Sequence, residues 1–477
     1  MQKLVVPFAF LACFALGIHA RAGDETVTVE KIYADNCASC HGKSLEGGSG
    51  PSLIDDEWVH GSSDSDIAKT IQYGFPTMGM PAWAAMLDQD TIRSLVIFIR
   101  EQKAVFEKDG IVQSVEPKSG VFSSLGYRFK MEDVAYADGV VFSFTFLPDG
   151  DILASLRNGS LVRIPKGKSK GEKIEGIPKV WFKGQGGLLE VQLHPQYKKN
   201  HWIYLSYSED KGATDQDKPA AMTAVVRGKL KRDRWVEQQT LFSVDKSKQS
   251  SQGMHFGSRF VFKDGYLYFG MGDRGYENFA QDLSRPNGKI FRLFDDGRIP
   301  EDNPFVGVEG AMPEIWSYGH RNPQGLDIEP ATGLIWETEH GPRGGDEVNV
   351  IAKGRNYGWP VITYGMNYDG TPITEKTHQV GMEQPQHYWV PSIATSGIEF
   401  YEGDLFDRWK GKLLISGMVS QELRLLTVDG AKVIKDELVL KGQGRVRDVA
   451  SGPDGAIYLS LDQKGGKGKI VRLSPAE

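Results

Sequence analysis

From about residue 127 onward, apolar and polar positions alternate in short runs separated by turn clusters, with no long helical stretch among them. Six segments share one strand–turn–strand form: "VFSFTFLPDGDILASLRNGSLVRI", "LLEVQLHPQYKKNHWIYLSYS", "GSRFVFKDGYLYFGMGD", "NPQGLDIEPATGLIWETEHG", "TSGIEFYEGDLFDRWKGKLLISG" and "VRDVASGPDGAIYLSLDQ". They recur at roughly sixty-residue intervals between 140 and 462. Ahead of residue 107 the period is different. In "DQDTIRSLVIFIREQKAVF", Ile92, Leu95, Val96 and Ile99 fall at helical spacing behind an Asp N-cap candidate. Residues 26–36, "TVTVEKIYADN", suit a second, amphipathic helix. The polar stretch 107–126, broken by Gly and Pro, reads as a linker.

Radial repetition of four-stranded sheets makes a β-propeller, in which the circular arrangement protects the sheet edges. The pattern therefore predicts a multidomain chain: a small all-α domain at 23–106 and an all-β six-bladed propeller at 127–477. A pair of β-sandwiches is the alternative. The chain has 477 residues, enough for two or three domains. At the N-terminus, Lys3 precedes the apolar run "LVVPFAFLACFALGI" and then "HARAG". That pattern predicts a signal peptide over 1–22, cleaved after Ala20 or Ala22, and a periplasmic or secreted protein. The alternatives are an uncleaved anchor and, more weakly, a lipoprotein at Cys13, where the apolar run continues past the cysteine. No other segment approaches a membrane span.

Hydrophobic residues make up 40% of the chain and charged residues 25%, a globular balance. A net charge of −6 and a pI near 6.0 leave no basic surface and argue against nucleic acid as a partner. Glycine, at 56 residues, suits many tight turns. Only three cysteines occur, and loss of the leader removes Cys13. Cys37 and Cys40 remain, in "NCASCH". Such a pair can be a lone disulfide, a C-x-x-C redox couple, or a haem attachment in which both thiols form thioethers and the next histidine ligates iron. His41, directly after Cys40, favours haem c.

About forty residues further on comes "YGFPTMGMPAW", a Gly/Pro-rich loop holding Met78 and Met80. A small helical domain with a methionine loop and a C-x-x-C-H motif resembles the cytochrome c family over residues 24–106. The resemblance implies His41 and one methionine as axial ligands, a pairing that raises the haem potential. The setting "GMPAW" points to Met80, with Met78 as the fallback.

In the second half, "GMGDRG" (Gly270, Gly272, Gly275) fits a dinucleotide fingerprint. A Rossmann unit needs a helix and a parallel strand next, whereas "YENFAQDLSRPNG" leads into another β-run, "KIFRLF". That reading is set aside. No P-loop, nucleophile elbow or H-E-x-x-H is present. The remaining polar residues gather in inter-strand loops: Gln185, His255, Asp273, Arg321, Asn322, Gly341, Pro342, Arg445 and Arg447. Singly, each has a bland reading as turn, core or surface residue. Arg445 and Arg447 alternate by two, so a strand puts them on one face. Arginines converging on a channel make an anion site, suited to several carboxylates.

"GQGGLL", "WSYGHRNPQGL", "EHGPRGGDEVN" and "GRNYGWP", in that order, resemble the soluble quinoprotein glucose/aldose sugar dehydrogenases and sorbosone dehydrogenases, from about 135 to 475. The resemblance implies bound pyrroloquinoline quinone (PQQ) on a six-bladed propeller. It makes His255 the general base. Gln185, Asp273, Arg321, Asn322, Arg445 and Arg447 become PQQ-pocket residues, and the carbonyls of Gly341 and Pro342 become ligands of a Ca²⁺. One departure stands out. The family often places a cofactor-contacting lysine in the fifth blade, but "LLISGMVSQELRLL" has none there, and Ser420 or Gln421 is the nearest polar substitute.

The expected activity is oxidation of an aldose-type sugar at its C1 hydroxyl to the lactone. Electrons pass to the chain's own haem and then to an external acceptor such as a soluble cytochrome or a quinone-pool component. The rivals are a Ca²⁺-dependent lactone hydrolase propeller, which would gather carboxylates and asparagines around calcium, and a non-enzymatic binding propeller. The arginine-rich set argues against the first, and His255, Arg321 and Arg445 together against the second.

Overall fold

A computed structural model describes residues 27–110 and 120–476. The expected leader, 1–22, and the middle of the expected linker lie outside the described residues. The helical domain has α1 (Val29–Asn36), the single turn α2 (Ala38–His41), α3 (Asp64–Tyr73) and α4 (Gln89–Gly110). The caps follow from the sequence. Thr28 accepts the Lys31 amide at α1, Ser63 and Asp66 form a reciprocal capping box at α3, and Asp88 accepts the Thr91 amide at 2.8 Å at α4. Ile92, Leu95, Val96 and Ile99 are all buried, against Val29 and Tyr33 of α1 and Ile67 and Ile71 of α3.

The expected linker is shorter at both ends. Helix α4 continues through Gly110, and Val121–Ser124 is already a strand paired with Tyr127–Ala137. Phe122 stacks on Phe129 there, an apolar contact hidden inside a polar stretch.

Six antiparallel sheets follow. Blade one runs from Val141 to Ile174, blade two from Leu188 to Phe242, blade three from Phe260 to Tyr318, blade four from Pro323 to Trp389 and blade five from Thr395 to Lys441. Each has four strands, and the first of each lies innermost, next to the first of its neighbour. Middle strands such as Ile152–Leu156, Ile335–Glu339 and Leu413–Gly417 are buried at every position, because blades cover both of their faces. Tight hairpins rest on glycines where the sequence shows "PDG": Gly150 at φ +88° and Gly455 at φ +76° each donate back across the turn at 2.9 Å.

The sixth sheet closes the ring. Its inner strands, Arg445–Ser451 and Ile457–Gln463, come from the chain end together with Lys467–Pro475. Tyr127–Ala137 then pairs with Lys467–Pro475 from Phe129–Pro475 to Ala137–Gly468. At the axis, Arg259 ties four blades together. Its guanidinium bonds Glu190 at 2.7 Å and donates to the carbonyls of Phe142, Gln324 and Arg447 at 3.1 Å each, with Asp448 also at 3.1 Å. No helix among the described residues is long and apolar enough to cross a membrane.

Candidate functional site

The "GMGDRG" glycines serve the β-fold. Tyr266–Met271 passes through a short turn into antiparallel Lys289–Phe294, so no dinucleotide unit forms. A Cβ on Gly272 would lie 2.4 Å from the carbonyl oxygen of His255, and a Cβ on Gly270 would lie 2.7 Å from Pro323. These glycines let two chain segments approach closely, and that approach places Asp273 against His255.

His255 Nδ1 lies 2.7 Å from Asp273 Oδ1. Asp273 also accepts the Gly275 amide at 2.7 Å and Trp359 Nε1–H at 2.8 Å. Gln185 Oε1 accepts the His255 amide at 2.7 Å and holds the histidine backbone at φ +54°, in the left-handed region. With Nδ1–H donated to the carboxylate, Nε2 carries the free lone pair. Burial and the charge of Arg321 lower the His255 pKa, against the pull of Asp273, so the ring is neutral near pH 7. For Asp273, burial acts upward, but the bond from His255, the charge of Arg321 and the Gly275 amide prevail and hold it below the usual range. A neutral imidazole oriented by a fixed carboxylate has the chemistry of a general base.

Arg321 lies over Trp359, 5.3 Å from its ring, and donates through Nη1 to the carbonyls of Gly341 at 2.7 Å and His340 at 3.1 Å. Its Nε is buried with no partner. Glu339 fixes this turn by accepting the amides of both Arg321 and Asn322. Asn322 meets His340 Nδ1 at 3.3 Å and accepts the Gly257 amide. One network thus joins Gln185, His255, Asp273, Arg321, Asn322 and Gly341.

Arg445 and Arg447 form a second group, reached round the axis through Arg259. Both turn to Asp462, Arg447 at 2.6 and 3.0 Å and Arg445 at 3.6 Å, although the strand register shifts between Val446 and Asp448. Arg157, from blade one, joins them: burial and the charges of Arg447 and Arg445 lower its pKa, and its Nε is buried and unpartnered. Three guanidiniums around one carboxylate leave the cluster positive. Pro342 accepts from Ser392, and Ser420 donates to Ile393.

Three residues carry roles that no motif announced. Trp359 and His340 stand inside quoted stretches, "GRNYGWP" and "EHGPRGGDEVN", as an apparent core aromatic and a lone histidine. Arg157 follows an ordinary strand, and only the ring closure brings it to blade six.

The donors can be compared with candidate groups. Orphaned guanidinium nitrogens on Arg321 and Arg157 suit an anionic, multi-carboxylate ligand. The Gly341 carbonyl has the oxygen chemistry Ca²⁺ takes, but Arg321 already donates to it, so an ion there displaces that contact. Behind the turn, His320, Glu337 and Glu339 bring ligand atoms within 4.8 Å of one another, all buried. Burial, followed by the charge of Glu339, holds Glu337 well above the usual carboxyl range. A cavity of about 210 Å³ lies elsewhere, between blades one and six near Phe146 and Tyr458.

In the helical domain, His41 Nδ1 donates to the Pro51 carbonyl at 2.9 Å, leaving Nε2 for a metal. A Cβ on Gly50 would stand 3.0 Å from His41 Cε1, so the "GGSGP" loop wraps the ring closely. Cys37 and Cys40 stand at the start of the single turn α2 and within it and form no disulfide with each other. Met80 packs against the helical core and bridges Phe75, whereas Met78 is 70% exposed.

A propeller with a histidine–aspartate pair beside buried arginines, joined to a helical domain that carries a C-x-x-C-H motif, fits the class of a quinoprotein oxidoreductase with its own cytochrome. The glucose/sorbosone dehydrogenase profile matches residues 140–472, and the profile of cbb3-type cytochrome c oxidase subunit III matches 24–99. The chain is 43% identical over 340 residues to the aldose sugar dehydrogenase YliI of Escherichia coli, covering 70% of this chain and 89% of that protein. The apo crystal structure of the soluble aldose sugar dehydrogenase from Escherichia coli superposes with a TM-score of 0.69 at 40% identity, covering 73% of this chain and all of that one. The PQQ-bound aldose sugar dehydrogenase of Streptomyces coelicolor superposes at 0.59 and 26% identity, over 74% and 99% of the two chains. The chain belongs to the glucose/sorbosone dehydrogenase family and carries a cytochrome c domain ahead of its six-bladed propeller.

Proposed function

We propose that this protein is an exported quinohaemoprotein that oxidises the C1 hydroxyl of an aldose-type sugar to the lactone, with PQQ and Ca²⁺, and passes the electrons to its own haem c and then to an external acceptor. The observation that carries this is the His255–Asp273 pair beside Arg321, whose buried Nε has no partner.

Arg321, Asn322 and Gln185 would hold one side of PQQ, and Arg157, Arg445 and Arg447 its carboxylates. Gly341 and Pro342 would give carbonyls to Ca²⁺. PQQ supplies a two-electron acceptor when bound, with Ca²⁺ polarising its carbonyl. The chain's own part is proton handling and charge. His255 Nε2 takes the hydroxyl proton, typically a gain of about 10²–10⁴-fold. Asp273 keeps the Nδ1 proton and stabilises the imidazolium that forms. Trp359 keeps Asp273 in place. Oxidation to the lactone releases two electrons and two protons. Cys37, Cys40, His41 and Met80 would hold a haem, which would supply one-electron transfer to an external acceptor; the protons pass to water, one by way of His255.

The buried His320–Glu337–Glu339 cluster, among the described residues, favours a calcium hydrolase. It lies behind the site, however, and its Glu339 carboxylate serves the Arg321 turn. The test is to add PQQ and Ca²⁺ to the purified protein, then an aldose, and to follow the haem absorption band. Haem reduction that needs both additions is expected. Lactone hydrolysis without PQQ establishes the hydrolase instead, and no turnover across a wide sugar and aldehyde panel leaves a binding module.

A further inference from the structure

We infer that Arg343 is the latch that fixes the cytochrome domain on the propeller beside the candidate cofactor site, which makes it a positioning residue for electron transfer between the two domains. Its Nη1 lies 2.7 Å from Glu30 on α1 and its Nη2 2.7 Å from Glu101 on α4, with Nε donating to both Glu101 oxygens at 2.9 and 3.1 Å. One guanidinium therefore grips both helices that pack at the centre of the cytochrome core.

The same residue sits two positions after Gly341, whose carbonyl meets Arg321. Its backbone exchanges hydrogen bonds with Met366 at 3.0 Å in each direction. Met366 is 1% exposed and belongs to the cytochrome domain's hydrophobic cluster, although the propeller supplies it. Gly344 follows, and a Cβ there would stand 3.3 Å from Ile97 of α4, so a glycine lets the helix lie on this loop. Arg93 of α4 also donates to the Thr374 carbonyl. The contact thus has an apolar centre closed by a forked ion pair, with the Arg343 side chain only 17% exposed. At that burial salt screens the pair weakly, and losing the carboxylates leaves a guanidinium uncompensated. Fixed docking also sets a high effective concentration of one redox site at the other.

The electron-transfer role rests on the reading under Proposed function, and the test separates the two. The full-length Glu30→Lys/Glu101→Lys variant and a milder Glu30→Gln/Glu101→Gln variant are compared with the native protein and with the charge-conserving Glu30→Asp/Glu101→Asp variant. Small-angle X-ray scattering without added PQQ reads domain docking. Sugar-driven reduction of a soluble dye and of the haem are then timed separately. Expected are a broadened scattering profile for the Lys and Gln variants, haem reduction slowed at least tenfold, dye reduction within twofold of native, and Asp variants that behave as native. Native-like scattering from both charge-removing variants overturns the latch. Loss of docking with haem reduction at the native rate overturns the positioning role. A native protein that reduces no dye with any aldose refutes the proposed function, while the scattering still decides the latch.

Discussion

The imidazole of His255 and the carboxylate of Asp273 meet across 2.7 Å, although they lie in the loops that precede and follow the Phe260–Met271 hairpin and the histidine backbone stands at φ +54°. Three neighbours maintain that pairing: Gln185 on the histidine amide, Gly272 beneath its carbonyl and Trp359 on the carboxylate. Replacing His255 by Ala is expected to lower kcat by about 10²–10⁴-fold with little change in sugar KM. Asp273→Asn is expected to approach the same loss, because an amide no longer fixes the Nδ1–H tautomer. Steady-state rates with PQQ and Ca²⁺ saturating check both.

The pH dependence follows from the same pair. Proton acceptance needs neutral His255, which is present above its pKa. Burial and Arg321 hold that pKa below 6.5 in the folded protein. The acid limb of kcat/KM therefore falls below pH 6.5. Removing a positive charge raises a histidine pKa, so Arg321→Gln moves the limb to higher pH. A pH–rate profile in which the limb stays or moves down contradicts the assignment. For stability the sign is that of a depressed base: the contribution is present above 6.5 and is lost as pH falls below 6.5 towards the folded-state pKa.

Trp359→Phe keeps the ring under Arg321 but removes the Nε1–H bond to Asp273. A hydrogen bond to a charged group contributes about 1.5–3 kcal/mol. The expected outcome is a cut in kcat of about tenfold or more and a small drop in Tm, measured by kinetics and calorimetry on the same preparation.

Arg157→Gln removes the guanidinium, with its unpartnered Nε, that blade one adds beside the Arg445–Arg447–Asp462 cluster. PQQ affinity is expected to fall about tenfold, equivalent to about 1.4 kcal/mol. Native binding should weaken more steeply with salt than binding to the variant. Fluorescence titration of the apo protein at two ionic strengths reads both effects.

Met80 packs on the helical core while Met78 points to solvent. Met80→Ala is therefore expected to lower the haem reduction potential markedly, because a His/Met pair raises it. Met78→Ala is expected to leave it close to native. Redox titration separates the two, and the reverse order would make Met78 the ligand.

Local order was legible wherever neighbours along the chain decide it. The Asp cap ahead of α4, the buried stripe Ile92–Leu95–Val96–Ile99 and the six strand–turn–strand units depend on periodicity and turn chemistry within a few residues. The haem motif is equally local, because thioether spacing and the adjacent histidine lie within five positions. Distance in the chain hid the rest. The strand Val121–Ser124 lies in a stretch that is mostly polar, and it pairs with Tyr127–Ala137, which closes the ring on Lys467–Pro475. Trp359 meets Asp273 and Arg343 meets Glu101 through contacts that exist only once the blades are in place and the helices are laid on them, and Arg157 comes under the charge of Arg447 in the same way. Alternation and spacing record which face a residue shows. Which partner waits at that face is set by packing between segments hundreds of residues apart, and no local pattern encodes that.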